Sequence, residues 1–218
     1  MIYLTLALVA LIGYLLGSIS FAIVISKTFY KQDIRNFGSG NAGMTNVLRT
    51  FGVKAAAITF AGDFFKGFFA VVIGKVIMNM PQLAGVENIA MYKDLAIYIA
   101  AAGALFGHLK PIFFGFKGGK GISVGFGAMM AGTPPITAAA FGVWLIVVAI
   151  TKYVSLASIM AVAGYTVFTF VSFMVTGTFS LPHAVAAVVL PGVIIYAHRS
   201  NIVRLMNGTE RKIGEKSK

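Results

Sequence analysis

A short basic loop that is rich in glycine separates two long apolar segments of the chain. It runs from Gly107 to Gly121 and reads GHLKPIFFGFKGGKG. Glycines let successive backbone N–H groups converge on one point, and Lys117, Lys120 and His108 add positive charge around it. A tight turn whose lysines lie among lipid headgroups would explain single residues, but not the whole pattern. The loop therefore predicts an anion site, and phosphate is the best candidate ligand.

This loop differs from the phosphate-binding loop of nucleotide hydrolases. That motif has four residues between its first glycine and a Gly-Lys pair, and Ser or Thr follows the lysine. Here the spacing from Gly115 to Lys120 is one residue short, and Gly121 follows. Nucleotide hydrolysis is therefore not expected. The residues that we expect to bind phosphate in this loop are His108, Gly115, Lys117, Gly118, Gly119 and Gly121.

A second polar stretch follows the first apolar segment and contains the turn Gly38-Ser39-Gly40. After it, Asn41 is a suitable N-cap for a short helix that would reach about Phe51. Gly52 would end that helix. The free backbone N–H groups at its start would suit an anion.

The same stretch offers several polar side chains. Thr45 and Arg49 are four residues apart, so their hydroxyl and guanidinium groups would share one helix face near Ser39. A connector at the membrane surface is the simpler interpretation of the Gly-Ser-Gly turn alone. The two asparagines, Asn41 and Asn46, together with Arg49 favour a substrate site.

A third polar stretch begins where the last apolar segment ends. As a helical extension of that segment, it would place His198 and Asn201 on one face, and Arg204 would lie at the next such step. Arg199 adds a further cation, and Gly208 would end the helix. A histidine beside basic residues often lies at a solvated helix end and has no functional role. For His198 this interpretation and a functional role carry equal weight.

One pair of charges lies inside an apolar segment. Asp63 and Lys66 are three residues apart on the predicted second membrane helix, where an unpaired charge is costly. Their spacing indicates either mutual pairing or a role of Lys66 in the substrate site, and the sequence leaves both open.

The composition requires a membrane protein. The chain has 218 residues, of which 58% are hydrophobic and only 11% are charged, and its formal net charge is +12. Because the basic residues lie between apolar blocks, they indicate anionic headgroups or substrates, and nucleic acid is not an expected partner. With no cysteine and no cluster of metal-ligating side chains in the sequence, neither a metal nor another cofactor is expected. Residues 1–218 are expected to form a single membrane domain.

The number of membrane spans depends on Gly132-Thr133-Pro134-Pro135. If these residues form a turn, the chain has seven transmembrane helices, and most of the 18 basic residues, including Lys216 and Lys218, face one side. We therefore predict an all-α fold with the N-terminus outside and the C-terminus cytoplasmic. The segment 122–132 would then cover only about 16 Å, as a short or re-entrant helix does.

These three polar stretches resemble those of one family, the bacterial membrane acyltransferases of the PlsY type. The resemblance covers nearly the whole chain, and its motifs are Gly38-Ser39-Gly40-Asn41 with Thr45-Asn46 and Arg49, the loop from Gly107 to Gly121, Lys152 to Ser158, and His198-Arg199 with Asn201, Arg204, Gly208 and Glu210. It implies a multi-pass protein of the bacterial inner (cytoplasmic) membrane whose active site faces the cytoplasm. It also implies acyl transfer from acyl phosphate to glycerol 3-phosphate, which gives lysophosphatidic acid and phosphate.

The resemblance also implies roles for individual residues. Catalysis would involve Ser39, Arg49, Lys120, His198 and Asn201, and Glu210 would be structural. The glycine-lysine loop would bind glycerol 3-phosphate, and the proton of its hydroxyl would pass to His198 or to a substrate phosphate. The protein is expected to function as a monomer. The alternative from another class is a transporter or scramblase of a phosphorylated solute or lipid, which would also use basic patches and short helices.

Overall fold

The computed structural model describes residues 1–215, so Lys216 and Lys218 of the predicted basic tail lie outside the described residues. The described part is mainly helical, with short 3₁₀ turns at 34–36, 81–83 and 112–114, and it contains no β-strand. Its α-helices are α1 Ile2–Gly17, α2 Phe21–Tyr30, α3 Met44–Phe51, α4 Val53–Met78, α5 Ile89–Leu109, α6 Ile122–Gly132, α7 Pro134–Thr151, α8 Val154–Thr176, α9 Leu181–Ala197 and α10 Arg199–Met206. These helices divide into two compact units, residues 1–132 and 133–215.

Several of these helices can cross a bilayer. Five spans are long and apolar enough, namely Ile2–Tyr30, Val53–Met78, Ile89–Phe114, Pro134–Thr151 and Val154–Thr176. The pair α9 and α10 meets the same criteria together but is bent by 61°, which raises the number to six. An all-α integral membrane protein is therefore confirmed.

The break between α6 and α7 lies where the sequence predicts it. Helix α6 ends at Gly132, and α7 begins at Pro134, whose missing N–H and fixed φ suit the first turn of a helix. With 11 residues, α6 is too short to span a bilayer alone, as expected. The helix break at Thr133 is thus confirmed, whereas a turn between two spans and the count of seven spans stay predictions.

In the first unit, glycines bring helices into close contact. A Cβ on Gly17 of α1 would overlap the backbone of Ala104 in α5, and a Cβ on Gly107 of α5 would overlap the carbonyl of Tyr14. Helices α4 and α6 approach in the same way, because Gly67 lies against the Val124 carbonyl. Small residues allow such approach in membrane helices, where packing replaces the hydrophobic effect as the driving force. Gly17 and Gly107 therefore serve the packing of α1 against α5.

The start of α3 differs from the prediction. Gly43 is its N-cap, and the helix begins at Met44, so the assignment of Asn41 as the cap was wrong by two residues. The reason is that the carbonyl of Asn41 accepts hydrogen bonds from the Gly43 N–H (3.0 Å) and from Asn46 Nδ2 (3.1 Å), which keep this segment in a turn. The predicted end of the helix, at Phe51 with Gly52 following, is confirmed.

Helix α10 is not a straight extension of α9. The two helices meet at His198 with a bend of 61°, so the expected continuation of the last span was wrong in direction. Asn201 and Arg204 still lie one turn apart within α10. Asn207 is its C-cap, and Gly208 follows with a positive φ of 67°, a conformation that glycine adopts without strain.

Candidate active site

Asn46 holds the Gly-Ser-Gly turn of the first unit in place. Its buried side-chain amide donates to the carbonyls of Ile34 (3.2 Å), Phe37 (2.9 Å) and Asn41 (3.1 Å), and its Oδ1 accepts from the Ser39 N–H (3.0 Å). Because the donors and the acceptor of this amide are engaged with backbone, its observed role is to shape the turn. The turn itself exposes Ser39 to solvent.

Arg35 connects this turn to the glycine-lysine loop. Its guanidinium donates to both carboxylate oxygens of Asp33, at 3.0 and 2.8 Å, and through Nη1 to the carbonyl of Phe114 at 2.7 Å. The hydrogen bonds from Arg35 lower the pKa of Asp33 well below its usual range, although partial burial opposes them. Lys27 also lies 3.4 Å from the Asp33 carboxylate. A fixed guanidinium therefore stands where the two polar stretches meet.

The second half of the glycine-lysine loop folds back onto the end of α5. The N–H of Gly119 donates to the carbonyl of His108 at 3.1 Å. A Cβ on Gly118 would overlap that same carbonyl, and one on Gly119 would overlap His108 Nε2 and lie 2.7 Å from the Ala42 carbonyl. Only glycine fits at these two positions, because main chain and an imidazole occupy the space that a side chain needs. The loop therefore packs on His108 on one side and on the Asn41–Gly43 turn on the other.

Beneath the loop lies a buried group of charges. Lys66 Nζ lies 2.6 Å from Asp63 Oδ1, 2.7 Å from the Ile19 carbonyl and 3.0 Å from His108 Nδ1. Relative exposures are 1% for Asp63, 5% for Lys66 and 4% for His108. The pairing of Asp63 and Lys66 that the sequence left open is thus present, and it includes a histidine from another helix. Charged groups inside a membrane are costly unless they are paired, and this pairing compensates the burial of Asp63 and Lys66.

A cavity opens between the two polar stretches of the first unit. Its volume is about 630 Å³, which is in the range of small-molecule sites. Three cationic side chains and a single carboxylate line it, together with glycines and aromatic rings, so its charge favours an anion. The lining residues are Lys27, Asp33, Arg35, Asn36, Gly40, Phe113, Phe114, Gly115, Lys117 and Gly118.

Some of the predicted site residues line the cavity, and others do not. Gly40, Gly115, Lys117 and Gly118 line it, whereas Ser39 does not. The remaining residues of the first unit that we predicted for the site are half-buried near these loops or within α3, and they are Asn41, Thr45, Arg49, Gly119 and Lys120. Gly38 is exposed beside Ser39, and Gly121 is buried at the start of α6 with a positive φ of 93°.

In the second unit, the buried carboxylate of Glu210 joins three donors. Oε1 accepts from Ser155 Oγ at 2.8 Å and from Asn201 Nδ2 at 2.7 Å, and Oε2 accepts from Arg204 Nε at 2.6 Å. Burial raises the pKa of Glu210, but the hydrogen bonds from Asn201, Ser155 and Arg204 outweigh it, so the net shift is downward. The tail is also attached through the Ile213 N–H, which donates to the carbonyl of Lys152 at 2.8 Å.

His198 and Arg199 occupy different environments at the bend. The ring of His198 is buried, and its Nδ1 lies 2.8 Å from the carbonyl of Ile194, so Nδ1 carries a proton and donates to it. Arg199 is exposed, where its guanidinium lies over the ring of Tyr196 at 4.7 Å and donates to the Tyr196 carbonyl. The structure thus fixes the orientation of the His198 ring and places Arg199 at the surface.

The sequence interpretation did not assign functional roles to Asp33 and Arg35. The partner of Arg35, Phe114, lies 79 residues away in the chain. A local signal existed, because Asp33 precedes Arg35 by two residues, as in a turn closed by a side-chain carboxylate.

Comparison with known proteins supports one family. The family model described as glycerol-3-phosphate acyltransferase matches residues 7–208. Curated relatives of that name include one from Clostridioides difficile strain 630, with 44% identity over 96% of both chains. Another is from Neisseria meningitidis serogroup B, with 38% identity over 93% of this chain and 94% of the relative.

Solved structures agree with this relationship. Crystal structures of PlsY, an integral membrane glycerol 3-phosphate acyltransferase, match in a glycerol 3-phosphate form and a lysophosphatidic acid form. The first has a TM-score of 0.82 at 36% identity over 96% of both chains. The second has a TM-score of 0.79 at 35% identity over 96% of this chain and 95% of PlsY. The family resemblance of the sequence motifs is thereby confirmed, and the chain belongs to the glycerol-3-phosphate acyltransferase family.

Proposed function

We propose that this protein transfers a fatty acyl group from acyl phosphate to glycerol 3-phosphate. The products are 1-acyl-glycerol 3-phosphate and inorganic phosphate. The observation that carries the proposal is the basic cavity beside the glycine-lysine loop, in a chain of this family. The fixed guanidinium of Arg35 and the two lysines that line the cavity suit substrates that carry phosphate.

The chemistry needs little more than positioning. The hydroxyl of glycerol 3-phosphate attacks the acyl carbonyl carbon, a C–O ester bond forms, and the bond from that carbon to the phosphate oxygen breaks. Acyl phosphate is a mixed anhydride with a good leaving group, so the main barrier is to hold two repelling anions together and to stabilise the developing oxyanion. The hydroxyl proton passes to His198 or to a substrate phosphate.

Individual roles follow from the motifs. We assign turnover to Ser39, Arg49, Lys120, His198 and Asn201. Binding of phosphate is assigned to residues of the two polar stretches in the first unit and to Arg199. The cations Lys27 and Arg35, which line the cavity, are added to that group.

The surroundings of the reaction are part of the same proposal. The chain would form seven transmembrane helices of one acyltransferase domain in the bacterial inner membrane, with the N-terminus outside and the active site facing the cytoplasm. It would act as a monomer without a cofactor. Support comes from the apolar helices and from the distribution of basic residues along the sequence.

The experiment is an assay of detergent-purified protein with labelled glycerol 3-phosphate and either palmitoyl phosphate or palmitoyl-CoA. We expect lysophosphatidic acid and stoichiometric phosphate with palmitoyl phosphate alone. Product from palmitoyl-CoA alone would overturn the choice of donor. A folded sample that is inactive with both donors would favour the transporter or scramblase, because transport leaves no product in detergent.

A further inference from the structure

The ammonium group of Lys66 has a matched set of partners. An ammonium carries three N–H donors and no acceptor. Around it lie three partners: the Ile19 carbonyl and His108 Nδ1 are within hydrogen-bond distance at 2.7 and 3.0 Å, and Asp63 Oδ1 forms an ion pair with it at 2.6 Å. The Ile19 carbonyl lies in the break between α1 and α2, where it has no partner in a continuing helix. The lysine therefore joins α4, α5 and the break in the first span.

This arrangement determines which nitrogen of His108 carries the proton. Because Nδ1 accepts from the Lys66 ammonium, the proton of the neutral ring is on Nε2. Asp63 does not reverse this assignment, since its Oδ1 lies 3.7 Å from His108 Nδ1, which is too long for a hydrogen bond. The lysine thus sets both the tautomer and the orientation of the ring.

The protonated edge of the ring is directed at the glycine-lysine loop. A Cβ on Gly119 would overlap Nε2, so the ring edge lies directly against this residue. The carbonyl of Ala42 is close to the same point, at 2.7 Å from the position of that Cβ. The Gly119 N–H in turn donates to the His108 carbonyl. This part of the loop therefore packs directly on His108.

We infer that Lys66 is a positioning residue, which holds His108 as the Nε2–H tautomer beneath Gly119 and thereby sets the shape of the loop that binds the phosphate of the acceptor substrate. This inference rests on the proposed function. Lys66 itself is buried and engaged with three partners within the protein, so it acts through His108 rather than on substrate. Its loss should change KM for glycerol 3-phosphate more than kcat.

Three variants test whether Lys66 positions His108 or only balances the charge of Asp63. Lys66→Met removes the ammonium but leaves Asp63 buried without its cation, so the fold itself is at risk. The double variant Asp63→Leu/Lys66→Met removes both charges with side chains of similar size. Lys75→Met is the matched control, because Lys75 lies nine residues after Lys66 on the same helix and donates to the carbonyl of Ala131 instead of contacting His108.

For the folded double variant we expect KM for glycerol 3-phosphate to rise by about tenfold to a hundredfold, the equivalent of one lost hydrogen bond to a charged group. We expect kcat and KM for acyl phosphate to change much less, and Lys75→Met to keep the wild-type KM. If the double variant has the wild-type KM, Lys66 serves only to balance a charge and the inference is wrong.

A second measurement reads the tautomer without reference to activity. The chain has three histidines, so ¹⁵N-histidine spectra of the detergent-solubilised protein can be assigned by comparison with His108→Gln. We expect a protonated Nε2 and an unprotonated Nδ1 for His108 in the wild type, and a mixture of tautomers in the double variant. A protonated Nδ1 in the wild type would overturn the inference. An inactive wild type with the expected tautomer would instead count against the proposed function.

Discussion

Each unit contains a buried carboxylate within a cluster of polar groups, and the two clusters differ in the charge of the group at their centre. In the first unit, Asp63 is one of three partners around the single cation of Lys66, with the Ile19 carbonyl and His108 Nδ1. In the second unit, Glu210 is a single acceptor for three donors, Ser155, Asn201 and Arg204. The centre of one cluster is a cation within a membrane helix, and the centre of the other is an anion in the C-terminal tail.

This difference indicates what each cluster does. The Lys66 cluster is linked through His108 to the loop that lines the basic cavity, so its loss should appear in substrate affinity. The Glu210 cluster links the start of α8, helix α10 and the tail of the second unit, so its loss should appear mainly in stability. A buried ion pair is in itself weak evidence for stability, because desolvation offsets much of the attraction.

The largest effect on stability is expected for Glu210→Leu. It leaves the side chains of Ser155, Asn201 and Arg204 without their common acceptor, and each unsatisfied buried donor, here Ser155 and Asn201, costs about 1–3 kcal/mol. Thermal unfolding in detergent should show a large fall in Tm or no folded protein. Glu215→Leu is the control, since Glu215 is exposed. Equal Tm values for these two variants would contradict a structural role of Glu210.

Gly119→Ala should have a large effect on activity. The added Cβ would overlap His108 Nε2 and crowd the Ala42 carbonyl, so the loop has to move. We expect KM for glycerol 3-phosphate to rise by about fivefold to about a hundredfold, since such overpacking costs about 1–3 kcal/mol.

Gly142→Ala in α7 is the matched control for this change. No atom lies within 4 Å of the position of its Cβ, and its φ is not positive. We expect this variant to keep the wild-type KM and a Tm equal to or slightly above that of the wild type. A Gly119→Ala enzyme with unchanged KM would mean that the packing of the loop on His108 does not matter for binding.

A smaller effect is expected for Arg35→Lys. An ammonium cannot reproduce the paired contact with Asp33 and the hydrogen bond to the Phe114 carbonyl at the same time. These groups are partly exposed, so we expect KM for glycerol 3-phosphate to rise by about threefold to tenfold, or about 1 kcal/mol. Arg211→Lys in the tail should have no effect. Wild-type kinetics for Arg35→Lys would remove Arg35 from the phosphate-binding group.

The smallest effect is the pH dependence of stability. Because the pKa of Glu210 is lower in the folded protein than its ordinary value of 4.5, its contribution is fully present above pH 4.5 and is lost as the pH falls through the lower, folded value. Thermal unfolding between pH 7 and pH 3 should therefore show a steeper acid decline in the wild type than in Glu210→Gln. Identical declines would show that Glu210 does not contribute to acid sensitivity.

Sequence reasoning predicted those features that depend on local patterns. The break before Pro134 follows from proline geometry and the end of α3 from Gly52, whereas helical spacing offered the pairing of Asp63 and Lys66 only as one of two possibilities. The family was also recognisable, because its motifs are local runs of residues. The roles of Ser39, Arg49, Lys120, His198 and Asn201 remain predictions that rest on those motifs.

Features that join distant parts of the chain were not predictable in the same way. The sequence does not show that Lys66 meets His108, which lies 42 residues further on another helix. It also does not show that the side-chain amide of Asn46 donates hydrogen bonds to backbone carbonyls, because the same residue could have faced a substrate. The bend at His198 was missed since the segment has helical periodicity on both sides of the break.

The most direct test of the central claim is calorimetric titration of glycerol 3-phosphate into the detergent-solubilised protein without an acyl donor. The claim is that the glycine-lysine loop of the first unit binds the phosphate of this substrate. It predicts saturable binding to the wild type, unchanged binding to Gly142→Ala, and binding to Gly119→Ala that is at least about fivefold weaker. Equal binding by Gly119→Ala and the wild type, or no binding by an active wild type, would contradict it.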